Sequence, residues 1–224
     1  MVGILIAGVP AGGKSSFAAV LAQKMALPLF SKDDFKELLF DSVGFRSRAE
    51  KQALGKGSFN ILCACAETEM RAGRSFILEN NFEETSRPAV ERLFSQYRCP
   101  ALTVLFTGDP SVVYARFLAR DQSPSRHRGH VVNTVYPEPP GEKTAPSWPD
   151  EQTFWASVQA RGMDRFAYGQ LLRVDCTDFS KVDFTALAVR VEELAAETEK
   201  AGWRPEIFFQ NTTKSSLQSH FNMI

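Results

Sequence analysis

The segment Gly8-Val9-Pro10-Ala11-Gly12-Gly13-Lys14-Ser15 fits the pattern G-x-x-x-x-G-K-[ST] at every fixed position. Background composition makes such a match roughly a one-in-a-hundred event for a chain this long. The context strengthens it. The apolar run Gly3-Ile4-Leu5-Ile6-Ala7 precedes the segment and reads as a central parallel strand, covered on both faces. A helix is expected over Ser15–Met25. Glycines let backbone N–H groups turn inward around α- and β-phosphates, and the new helix points its N-terminus at the same anion. A lysine at position 14 reaches the β- and γ-phosphates, and the Ser15 hydroxyl is placed to ligate Mg²⁺. Gly8, Pro10, Ala11, Gly12, Gly13, Lys14, Ser15 and Ser16 are therefore expected to hold ATP and its Mg²⁺.

The rest of the chain alternates short apolar runs with longer amphipathic ones, the α/β pattern. Further strands are expected at Leu27–Phe30, Ser75–Leu78, Ala101–Phe106 and Leu171–Val174. Helices are expected at Phe35–Phe40, Ala49–Arg71 (interrupted by Gly55 and Gly57), Pro88–Gln96, Ser111–Arg120 and Val182–Glu199. At 224 residues this is one domain. Its expected extent is residues 1–201, followed by a polar tail over 202–224. Residues 137–149 carry five of the twelve prolines and read as a long functional or mobile loop.

A phosphate loop leaves kinase, GTPase switch and ATPase motor open. Ser180-Lys181-Val182-Asp183 lacks the first residue of a guanine reader, and Leu78-Glu79 ends its strand in a single acid, where a motor has two. The second strand runs into Ser31-Lys32-Asp33-Asp34-Phe35-Lys36, with Asp33 19 residues after Lys14. On a neighbouring strand, Asp33 would face the phosphate cleft and accept or orient the proton of an attacking hydroxyl. Asp34 reads as a helix cap, and Lys36 as a contact to substrate or phosphate. Glu79 is placed to support Mg²⁺ through water, and Asn81 to bind a substrate hydroxyl. Arg116, Arg120, Arg126, His127, Arg128 and His130 form a basic, turn-rich segment. It reads as a lid over about 111–132 that excludes water and stabilises phosphoryl charge. Arg120 and Arg126 are the expected catalytic arginines, and Arg116 an ATP contact.

These features resemble the small P-loop kinases classed as AAA-type ATP-binding domains, related to phage polynucleotide kinase, chloramphenicol phosphotransferase and the zeta toxins. Gly8–Ser15 resembles the group's G-x-P-G-x-G-K-S loop, with Ala11 in place of a glycine. Asp33-Asp34-Phe35-Lys36 resembles the D-D-Y-R segment of polynucleotide kinase, whose first Asp is the general base. Arg126-His127-Arg128-Gly129-His130 looks like an R-H-P-G-H lid motif. The resemblance implies a P-loop NTPase three-layer sandwich: a five-stranded parallel sheet, order 2-3-1-4-5, with helices on both faces. It leaves the acceptor open.

The resulting expectation is an ATP- and Mg²⁺-dependent transfer of the γ-phosphoryl group to a hydroxyl of a small molecule. The alternatives are a nucleotide switch without an acceptor and a polynucleotide 5′-hydroxyl kinase. Lys+Arg 26 balances Asp+Glu 26, and Lys36 stands where polynucleotide kinase has arginine, so nucleic acid is disfavoured. No apolar run suggests a membrane span or an export signal. Cys63, Cys65, Cys99 and Cys176 form no C-x-x-C pair. A cytoplasmic monomer or dimer with reduced thiols is expected.

Overall fold

The computed structural model describes residues 1–204. Most of the expected tail therefore lies outside the described residues. The strands β1 (Gly3–Gly8), β2 (Leu29–Ser31), β3 (Phe76–Glu79), β4 (Ala101–Thr107) and β5 (Gln170–Asp175) form one sheet in the order β2-β3-β1-β4-β5. All its pairings are parallel. This is the expected fold. β1 is buried along its whole length, as its uninterrupted apolar run requires.

Side chains alternate across the sheet and build two cores. Ile4 and Ile6 point to one face, where they pack with Phe17 and Leu21 of α1 (Lys14–Met25) and Val191 of α8 (Phe184–Ala201). Leu5 and Ala7 point to the other. They meet Leu62 and Ala66 of α3 (Arg48–Arg71) and Phe94 of α4 (Arg87–Gln96). Each large apolar side chain fully buried in this way contributes about 1.5–3 kcal/mol.

Three further helices follow β4 in the chain: α5 (Pro110–Asp121), the single turn α6 (Arg128–Val131) and α7 (Glu151–Arg161). α7 was not expected from the sequence. Its signals are an Asp150 cap that accepts from the Thr153 N–H, Phe154 and Val158 facing the core, and Gly162 ending it in a left-handed turn. α2 (Lys32–Val43) starts three residues before its expected apolar beginning. Asp33 and Asp34 thus lie in its first turn, and the cap position falls on Ser31, so Asp34 is not the cap. Gly55 and Gly57 do not interrupt α3, which runs 24 residues.

A third, small cluster ties the basic segment to the body. Phe40 of α2 packs with Phe45 and Val132, and Leu54 and Tyr136 flank them. Gly129 sits so close to Phe40 that a Cβ there would lie 2.4 Å from the ring.

Candidate active site

The C-terminal ends of the parallel strands converge on one crevice, on either side of β1, where a doubly wound sheet binds ligands. β1 ends at Gly8, whose φ of +124° and contact with the Phe106 carbonyl leave no room for a side chain. The loop then curls so that the Lys14 ammonium donates to the Val9 carbonyl at 2.7 Å. Ala11, the departure from the glycine pattern, adopts φ +57°, in the left-handed region that glycine enters freely.

Lys14 is buried. Burial lowers its pKa to about 8, against the opposing pull of Glu79 and Asp33. Glu79 is likewise buried, at the end of β3 and in register with Ser31 of β2. The Ser31 hydroxyl donates to Glu79 Oε2 at 2.8 Å, which explains why Ser31 does not cap α2 with its side chain. Burial pushes the Glu79 carboxyl above its ordinary value. Lys14, Ser31 and the Ser15 hydroxyl pull the other way. Among the described residues no group of three or more His, Cys, Asp or Glu is placed to hold a metal ion. A hydroxyl beside one carboxylate instead suits magnesium, which keeps several waters and binds substrate phosphates.

Asp33 faces this centre from α2, its side chain half exposed. Burial opposes its charge, yet the basic groups around it, His130, Lys36, Lys32 and Arg126, hold its carboxyl below the ordinary range. Arg126 arrives from the loop after α5. Its guanidinium lies 4.0 Å from Asp33, 3.9 Å from Glu37 and 3.4 Å from Asp121. Its buried Nε makes no hydrogen bond despite the nearby Asp121 oxygen, because the two are out of line.

The other basic residues separate. Arg120 pairs with Asp121 at 2.8 Å, close enough to Lys14 to help lower its pKa. Arg116 points away from Asp33. It donates to the carbonyls of Cys176 and Thr177 and lies 3.8 Å above the Phe179 ring. Phe179 in turn borders the phosphate loop, since a Cβ on Gly13 would lie 3.0 Å from it. His130 donates to or accepts from Glu37 at 2.8 Å, and burial takes its pKa down to about 3. Arg128 turns outward and grips Glu138 in the proline-rich segment with two bonds, at 2.6 and 2.9 Å.

A cleft of about 790 Å³ opens beyond Asp33, lined by Lys36 of α2, one face of α3, Asn80 and Arg161. Asn80 lines it rather than Asn81, whose backbone carbonyl accepts from the Gly8 N–H. An adjoining cavity of about 550 Å³ reaches Pro10 of the phosphate loop and is walled by Trp148, Pro149 and α7. Sequence reasoning missed this α7 wall.

No curated protein sequence matches the chain significantly. Among solved structures, a protein from Chloroflexus aurantiacus, named as a candidate kinase, superposes with TM-score 0.70 at 27% identity, covering 86% of this chain and 97% of its own. A sugar kinase from Janibacter superposes at 0.50 with 13% identity, covering 90% and 97%. A gluconokinase from Sinorhizobium meliloti does so at 0.50 with 12% identity, covering 88% and 94%. The last two speak for the fold alone. The expected likeness to small P-loop kinases thus holds for the fold. Residues 4–135, more than half of the chain, match the family model described as an AAA domain, and the chain belongs to that family.

Proposed function

We propose that the protein is an ATP- and Mg²⁺-dependent kinase that transfers the γ-phosphoryl group to a hydroxyl of a small-molecule acceptor. The observation that carries this reading is Asp33. It is a carboxylate kept ionised by basic neighbours, between the buried Lys14 and a cleft large enough for an acceptor. The cleft's volume and mixed polar lining are those of a small-molecule site. The named kinases among the structural neighbours are consistent with it.

In this mechanism the loop Gly8–Ser16 cradles the phosphates, and Lys14 leaves the Val9 carbonyl to take the γ-phosphate. Arg116 and the Phe179 ring it covers border the loop together, and their outer face is where the adenine rests. Ser15 would hold Mg²⁺ directly and Glu79 through water, and the ion supplies charge neutralisation to the β- and γ-phosphates. Asp33 takes the proton of the acceptor hydroxyl as its oxygen bonds to the γ-phosphorus. The bond from that phosphorus to the bridging oxygen breaks, and ADP leaves. Residues 111–132 act as a lid that brings Arg126, with Arg120 behind it, to the transferring group. Lys36, beside Asp33, contacts the acceptor. Residues 1–201 form the kinase domain.

Transfer of label from γ-labelled ATP into a fractionated metabolite pool tests this, with Asp33→Asn alongside. A labelled compound made only by the wild type is the expected result. Free phosphate alone, released equally by both proteins, would overturn the reading.

A further inference from the structure

We propose that the acceptor is a small hydroxylated anion, whose carboxylate or phosphate group is held by Lys32, Lys36, Arg48 and Lys56. This rests on the kinase reading of the same cleft and names its substrate class.

The cleft beyond Asp33 is lined by six cations, Lys32, Lys36, Arg48, Lys51, Lys56 and Arg161. The whole chain carries no net charge, so this is a local concentration. The lining contains a single carboxylate, Glu83, and Arg161 already pairs with it. Lys51 is also engaged: its ammonium donates to the carbonyls of His130 and Val132 and to Asn133. The remaining four make no hydrogen bond or ion pair among the described residues, although Lys36 lies 5.4 Å over the Phe40 ring. Elsewhere Arg71, Arg74, Arg87 and Arg128 each find a carboxylate, while Arg92, Arg98 and Arg173 stand in solvent with no ion pair among the described residues, so what marks this cleft is four unpaired cations on one lining. Asp33 offsets part of the charge on Lys36 and Lys32, but the four cations outnumber it and repel one another, and burial makes the charge on Lys36 costlier. A bound anion relieves both costs.

The triphosphate is not that anion. No residue of Gly8–Ser15 lines this cleft; the loop reaches only the adjoining cavity, through Pro10, and of the four cations only Arg48 borders both. Volume and walls favour a compact acceptor. About 790 Å³ falls within the usual range of small-molecule sites. The Lys51 bonds fasten α3 to the end of the lid, and Ser157 and Arg161 of α7 close the far side. Gln52, Asn60, Asn80 and Asn133 provide uncharged partners for hydroxyls.

The test uses glucose, gluconate, glucose 6-phosphate and inorganic phosphate as probes, plus a 5′-hydroxyl oligonucleotide. Calorimetric binding is measured with a non-hydrolysable ATP analogue present, in wild type, Arg48→Gln and Lys56→Gln, and γ-label transfer is followed separately. Gluconate or glucose 6-phosphate should bind at least about tenfold tighter than glucose. Each substitution should remove about tenfold of that advantage while leaving glucose binding as it was. The stronger of the two anions tells carboxylate from phosphate. Equal binding of neutral and charged probes, or no binding of any anion, overturns the proposal. If label still reaches a neutral acceptor, the kinase reading survives that failure. Charge-dependent binding that both substitutions weaken, with no transfer to any compound, upholds the anion site and sinks the kinase reading instead. An oligonucleotide that binds tighter than every small anion, with a steep salt dependence, overturns the small acceptor in favour of a nucleic-acid end.

Discussion

The guanidinium of Arg126 ends 4.0 Å from the carboxylate of Asp33, joining the loop after α5 to the first turn of α2. Glu37 and Asp121 complete a ring of carboxylates around it, and its buried Nε is left without a hydrogen bond. A cation held this way can exchange a long contact with Asp33 for a shorter one with an arriving phosphoryl group. Replacing Arg126 by alanine should cut transfer by about 10²–10³-fold. It should also raise the pKa of Asp33, because one of the groups that lower it is lost. The acid limb of the kcat/KM profile for the acceptor then moves to higher pH. A drop in rate with an unmoved acid limb would separate Arg126 from Asp33.

Asp33→Asn keeps the size and the hydrogen-bonding reach of the side chain but removes the proton acceptor. ATP binding should stay nearly intact, while transfer falls by about 10²–10⁴-fold. Nucleotide titration and single-turnover transfer measure the two effects separately.

Burial holds the Lys14 pKa near 8, well below 10.5, in the free protein. Its positive charge is complete below that pH and fades above it. The kcat/KM for ATP should therefore fall as pH rises through about 8. Bound phosphates favour the charged form, so kcat should hold to higher pH. Lys14→Ala should abolish turnover at every pH.

The Glu138 carboxyl is held down to about 2, first by its bonds to Arg128 and then by the backbone of Thr144. A carboxylate with a depressed pKa binds fewer protons folded than unfolded, so stability falls as pH drops. The contribution is full above about pH 4.5 and is lost on the way down to about 2. Acid unfolding of Glu138→Gln should show a shallower loss in that window than the wild type.

Gly129→Ala would drive a methyl group into the buried ring of Phe40. Overpacking of this kind costs about 1–3 kcal/mol. Denaturant unfolding should register that loss, and transfer should weaken as the lid lifts from α2.

The phosphate loop, the α/β class and the five strands were legible along the chain because each rests on neighbours in sequence. An apolar run, a glycine pattern and a helix stripe are short-range signals, and the parallel sheet in the order 2-3-1-4-5 agrees with them and with the family likeness. The start of α2 moved because of a contact distant in sequence. Ser31 turned its hydroxyl to Glu79, and α2 began early enough to carry Asp33 in its first turn. α7 was hidden because its apolar positions follow directly on a proline-rich segment.

The site was legible as a set of residue types and not as an arrangement. Arg116, Arg120 and Arg126 read alike in sequence, yet one stacks on Phe179, one pairs with its neighbour Asp121, and only Arg126 reaches Asp33. Likewise Lys36 read as a substrate contact in the sequence, but Lys32, Arg48 and Lys56 are ordinary surface-type residues on two helices until α2 and α3 pack side by side and bring all four to one cleft. Covalent sequence determines periodicity and local backbone preference. Which charges meet, and which are left without a partner, depends on contacts between residues far apart in the chain, and only the packed fold decides those.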